Sequence, residues 1–177
     1  MAPRYALAKR KAQQLLEQAG ITKPPVRVET LAKHVGARVR HEPFSGEGLS
    51  GMAYRQPDGR LFIGVNALHP RTRRRFTIAH EIAHLILHQH EDLHIDEAFV
   101  IELRNDRSSM AVDEKEIEAN QFAAELLMPA AWLRDDLHDR RIDLESDNEA
   151  IAELAAKYQV SVQAMTIRLS ALGAVRG

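Results

Sequence analysis

His80, Glu81 and His84 are the residues whose types and spacing most directly allow chemistry. They lie in the stretch 76–88, where Phe76, Ala79, Ile82, Ala83 and Ile86 recur at three- and four-residue steps, the period of a helix buried along one side. Residues four apart on a helix sit one turn above each other, so both imidazoles project to the same side and can close on one metal ion. Glu81 follows the first histidine. That places its carboxylate beside such an ion, where it can take a proton from an activated water. Two imidazoles on one face of an otherwise apolar helix would be costly to bury without a partner, which favours a metal site over coincidence.

The arrangement is the His-Glu-x-x-His pattern of zinc peptidases, and it is incomplete by itself. A catalytic zinc takes three protein ligands and keeps one position open. The chain has no cysteine, so the third ligand must be a histidine or a carboxylate. His90 stands where a third histidine would follow a glycine turn, but Leu87 occupies the glycine's place, so the helix is expected to run on past Leu87 and His90 ranks low. His88 then falls on the helix face behind the pair. A second strong helix is expected over 112–128, where Ile117, Phe122, Ala123, Leu126 and Leu127 form an apolar stripe that ends before Pro129. Glu114, Glu118 and Glu125 all lie in it, and periodicity does not choose between them. Tyr54, His88, His90 and His94 are candidates for a donor to a developing oxyanion.

Other elements must hold these groups in place. The span 5–19 reads as an amphipathic helix stopped by Gly20, 29–35 as a short helix ending at Gly36, and 37–41 as a strand. The spans 49–55 and 60–65 flank the turn Gln56-Pro57-Asp58-Gly59 and read as a β-hairpin, whose exposed edge could pair with extended substrate backbone. Pro70 suits a first helical turn. Arg71, Arg73, Arg74 and Arg75 follow, read as a solvated face with ion pairs in preference to a docking site for an acidic partner. A possible strand falls at 98–103.

The block from Phe76 to Leu85, followed by Glu118-Ala119-Asn120-Gln121-Phe122-Ala123-Ala124-Glu125-Leu126-Leu127-Met128-Pro129, resembles the ImmA/IrrE family of metallopeptidases. The resemblance covers roughly 37–172. It implies that Glu118 is the third zinc ligand beside His80 and His84, a gluzincin-like site. Beside that ligand set, Glu81 is expected as general base and acid, with Tyr54 and His88 as supporting candidates. It further implies one Zn2+ ion, with Mn2+ as an alternative, and cleavage of a helix-turn-helix repressor or antitoxin. Glu125 is then expected to be structural or to support a ligand from behind.

Near the C-terminus, 150–158 and 162–172 read as helix, tight turn and helix with Ser161 as N-cap, the outline of a helix-turn-helix. Its second helix offers Gln163, Thr166, Arg168 and Ser170 as polar positions, only one of them basic, which argues against DNA binding. A formal net charge of -1 gives no general attraction to nucleic acid or membrane. No apolar run reaches membrane-spanning length and the N-terminus lacks a signal peptide's apolar core, so a cytoplasmic location is expected. The expected fold is α+β: a small, mostly antiparallel sheet packed on the His-Glu-x-x-His helix and a second ligand-bearing helix. The expected division is an N-terminal helical segment (1–36), a peptidase core (37–138) and a helical C-terminal subdomain (139–177). The functional expectation is a zinc-dependent endopeptidase acting on a regulatory protein. The alternatives are a non-proteolytic repressor-binding protein on the same fold and a DNA-binding regulator.

Overall fold

The computed structural model describes residues 4–44, 49–88, 93–97, 114–138, 141–144 and 146–176. The elements run α1 (Tyr5–Gln18), α2 (Val28–His34), β1 (Ala37–Glu42), β2 (Leu49–Arg55), β3 (Leu61–Asn66), α3 (Arg71–Leu87), β4 (Leu93–Glu97), α4 (Glu114–Leu127), α5 (Ala130–Leu137), β5 (Ile142–Asp143), α6 (Asn148–Tyr158), α7 (Val162–Ala171) and β6 (Val175–Arg176). The fold is α+β. The expected strand at 98–103 and His90 lie outside the described residues.

Alternation along the strands decides which side of the sheet meets the helices. Ala37, Ala53, Ile63 and Val65 are buried in the core, while Arg38, Arg40, Met52, Tyr54 and Phe62 take the other face. The four strands lie in the order β1-β3-β2-β4, with β1 parallel to β3 and the other two pairings antiparallel. The hairpin forms as expected, with Gly59 at φ 83° closing its turn. Its outer strand is not the sheet edge, however. Among the described residues, β4 pairs along β2 and takes the edge position itself.

One core cluster runs from Ala8, Ala12 and Leu15 on α1 through Ile78 and Ile82 on α3 and Phe122 and Leu126 on α4 to Met165 and Leu169 on α7. α4 lies between α1 and α3. The arginine cluster at the start of α3 is not a solvated face throughout. Arg75 is buried and donates to the carbonyl oxygens of Gln159 (3.0 Å), Val26 (2.8 Å) and Tyr158 (3.5 Å), a cation placed on the C-terminal carbonyls of α6. Arg71 reaches Gln159 Oε1 at 3.2 Å in the same turn.

Glu125 and Arg168 form a second buried anchor, a salt bridge between α4 and α7. Gln13 Nε2 (2.9 Å) and the Ala130 N–H (3.3 Å) donate to the same carboxylate, and Arg168 Nε donates to the Met128 carbonyl at 3.0 Å. The polar atoms of the pair are therefore well supplied, the condition under which buried charge is tolerated. Arg168, read from sequence as the one basic position of the second helix, belongs to the interior. The α6 to α7 turn otherwise follows its sequence: Gln159 takes the left-handed conformation at φ 55°, and Ser161 Oγ accepts from the Ala164 N–H at 3.1 Å.

Candidate metal centre

The four-residue spacing on α3 brings His80 Nε2 and His84 Nε2 within 3.1 Å of each other. Both rings are buried, and the Nδ1 of His80 donates to Asn120 Oδ1 on α4 at 2.8 Å. That bond fixes the tautomer, because a proton on Nδ1 leaves the Nε2 lone pair free to face the other donors. Glu116, also on α4, sends Oε2 to His80 Nε2 at 3.1 Å and Oε1 to His84 Nε2 at 3.2 Å. Donors held about 2.0–2.2 Å from one tetrahedral zinc stand roughly 3.3 Å apart, so this trio is close to the separation an ion would impose. The residues present fit a divalent ion.

The electrostatics agree with that donor set. Burial pushes His84 down to about 4, only partly opposed by its hydrogen bond to Glu116, so the ring is neutral near pH 7. Burial alone would raise Glu116, but hydrogen bonds to His80 and His84 and their charge hold its carboxyl well below the usual range. A neutral His84 imidazole and an ionised Glu116 carboxylate are the forms in which these two groups bind metal.

His94 on β4 joins the same cluster: His80, His84, His94 and Glu116 each offer a ligand atom, and those atoms lie within 4.8 Å of one another. It gets there by strand register. His94 pairs with Ala53, whose side chain is in the helix-facing core. Its ring stacks on His84 at 3.4 Å between centroids and 12° between planes. A nitrogen lone pair lies in its ring plane, so two nearly parallel rings stacked at that distance do not point at one ion. With His84 converging on His80 and Glu116, His94 is a neighbour of the trio, with Nε2 at 3.5 Å from Glu116 Oε1.

Residues 32–170 match the family model described as the IrrE N-terminal-like domain. The chain belongs to the ImmA/IrrE metallopeptidase family. No curated protein matches the sequence significantly. Among solved structures, a Mycobacterium tuberculosis transcriptional regulator shares the fold with a TM-score of 0.60 and 14% identity, over 92% of this chain and 46% of that one. This chain thus spans less than half the length of that regulator.

Within this ImmA/IrrE domain the sequence-derived site residues separate. His80, His84 and Glu81 share α3, and Glu81 is fully buried. Glu118, expected as the third ligand, is not brought to the pair. Its carboxylate accepts from Arg4 three times, from the main-chain N–H (2.7 Å), Nε (2.9 Å) and Nη2 (2.8 Å). Arg4 holds Glu118 below the usual carboxylate range, chiefly through the side-chain hydrogen bond. Two residues apart on a helix is a turn of about 200°, so Glu116 and Glu118 face opposite neighbours. Tyr54 is also displaced from the site. It pairs with Leu93, one step out of phase with His94, and lines a cleft on the far face of the sheet with Phe44, Phe62 and Met52. α3 ends at Leu87, not beyond it, and His88 is its C-cap. The buried His88 ring donates from Nε2 to the Lys115 carbonyl at 3.3 Å and stands 3.9 Å from Glu118 Oε2. Glu116 and Asn120 are the residues sequence reading missed. Their four-residue spacing, which puts both on one side of α4, is the signal that could have found them.

Proposed function

We propose that this chain is a zinc-dependent endopeptidase that cleaves a regulatory protein in the cytoplasm, a helix-turn-helix repressor or an antitoxin. The observation that carries the reading is the convergence of His80, His84 and Glu116 beside the buried Glu81. His80, His84 and Glu116 would hold the metal, Glu116 taking the place first given to Glu118. A bound zinc or manganese ion would supply Lewis-acid activation of water and of the scissile carbonyl. Glu81 accepts the proton of the attacking water and returns it to the leaving amine. His94 donates to the carbonyl oxygen as charge develops there. The edge strand β4 carries His94, and its outer side offers main-chain groups to an extended substrate segment.

The rival reading, DNA binding through α6 and α7, loses its one basic contact on α7, because Arg168 is buried against Glu125. The family and the fold are compatible with a non-cleaving repressor-binding protein, and the experiment separates that case. The chain is loaded with zinc, mixed with the regulator encoded beside it, and compared with Glu81→Gln on a gel. Wild type cuts, and Glu81→Gln binds zinc without cutting. A zinc-loaded wild type that binds the regulator and leaves it whole would make the protein a binder. Equal cutting by both proteins would remove Glu81 from the chemistry.

A further inference from the structure

We propose that Gly51 is a positioning residue for Glu81, and that a glycine is required there for space. Gly51 is not among the glycines with positive φ, unlike Gly20, Gly36, Gly59 and Gly173, so its backbone would accept any residue. Its surroundings would not. A Cβ at this position would stand 2.3 Å from Thr77 Cγ2, 3.1 Å from Glu81 Oε1 and 3.2 Å from the Gly64 carbonyl oxygen. Thr77 and Glu81 are four apart on α3 and both are buried, so β2 is laid directly across the turn that carries the proposed base.

This close approach is built by the sequence around it. The β2 to β4 register shifts between Leu49 and Gly51, an irregularity of the kind that re-aims a strand beside a site. The fully buried Ser50 lies in that irregularity, and its Oγ accepts from Arg73 Nη2 at 2.9 Å. Asn66 Nδ2 donates to the Leu49 carbonyl at 3.0 Å on the other side. Arg73, from the first turn of α3, and Asn66, from the end of β3, thus pin the two residues that precede Gly51. The glycine then has a fixed distance to keep, and the Glu81 carboxylate is confined between the β2 backbone and its own helix. A base confined in this way keeps one position relative to His80 and His84, on which proton transfer depends.

The proposal rests on the peptidase reading, and the test keeps the two apart. The chosen variant is Gly51→Ala combined with Thr77→Ser, which removes the worst collision and leaves the contact at Glu81; Thr77→Ser alone is the reference. For cleavage of the regulator that wild type cuts, the combined variant should lose on the order of tenfold to hundredfold in kcat, with KM and zinc affinity unchanged. A readout without activity runs alongside. In urea unfolding of the zinc-free protein, adding Gly51→Ala to Thr77→Ser should lower the midpoint, and by clearly less when Glu81→Ala is also present. Equal kcat in the combined variant and its reference, or the same midpoint loss with and without Glu81, would overturn the role of Gly51. Failure of wild type itself to cut would overturn the peptidase reading, while the unfolding cycle would still report on the contact.

Discussion

Removing Glu116 should strip the metal site, and removing Glu118 should barely touch it. The Glu116 carboxylate spans both imidazoles, at 3.1 Å from His80 Nε2 and 3.2 Å from His84 Nε2. Structural zinc sites bind with about 10–16 kcal/mol shared over four protein ligands, so one ligand is worth roughly 3 kcal/mol, or on the order of a hundredfold in affinity. Glu118 instead holds Arg4, whose side chain is 48% exposed. A pair with one partner that open contributes about 0–1 kcal/mol to folding, and its loss should leave zinc affinity within roughly threefold. The assay is competition with a chromophoric chelator at pH 7 on wild type, Glu116→Ala, Glu118→Ala and His84→Ala. Circular dichroism on each checks that the fold is kept. Glu116→Ala should group with His84→Ala and Glu118→Ala with wild type. The reverse grouping would refute the assignment and return the third ligand to the position that the family resemblance implied.

Two further outcomes follow from buried charge. Glu125→Gln leaves Arg168 in the interior without its counter-charge, which should cost about 3–5 kcal/mol in urea unfolding; a loss below roughly 1 kcal/mol would mean that the Met128 carbonyl suffices for Arg168. For the zinc-free protein, His84 titrates at about 4 when folded against 6.5 for the free side chain. A histidine with a lowered folded value favours folding above its unfolded value and loses that advantage as pH falls from about 6.5 to 4, a difference of up to roughly 3 kcal/mol. Thermal unfolding across that window should show a shallower acid loss in His84→Asn than in wild type, and superimposable profiles would count against the burial account.

The site divides into what local spacing determines and what long-range packing determines. His80, Glu81 and His84 are on one helix, so their relation follows from a period alone, and it was legible. The choice between Glu116 and Glu118 depends on how α4 is turned about its axis, and its apolar pattern could not supply that angle, because α4 is covered on both sides. Glu118 and Glu125, seven apart, meet Arg4 and Gln13 at the α1 side, while Glu116 and Asn120, four apart, meet His80 at the α3 side. A helix between two others has two buried faces, so its apolar stripe does not say which neighbour each polar residue meets. Tyr54 and His94 make the same point for the sheet. Whether a strand residue looks toward α3 or away from it is a matter of parity, and parity for β4 is fixed by pairing with β2, some forty residues earlier in the chain. The C-terminal pair shows the converse. Ser161 caps α7 through a contact three residues away and was readable, whereas Arg168 answers to Glu125, 43 residues back, and its burial was not. The first helix meets α4 on the side away from the histidines: Arg4 at its N-cap engages Glu118 and Gln13 engages Glu125, which leaves Glu116 on the side that faces His80 and His84.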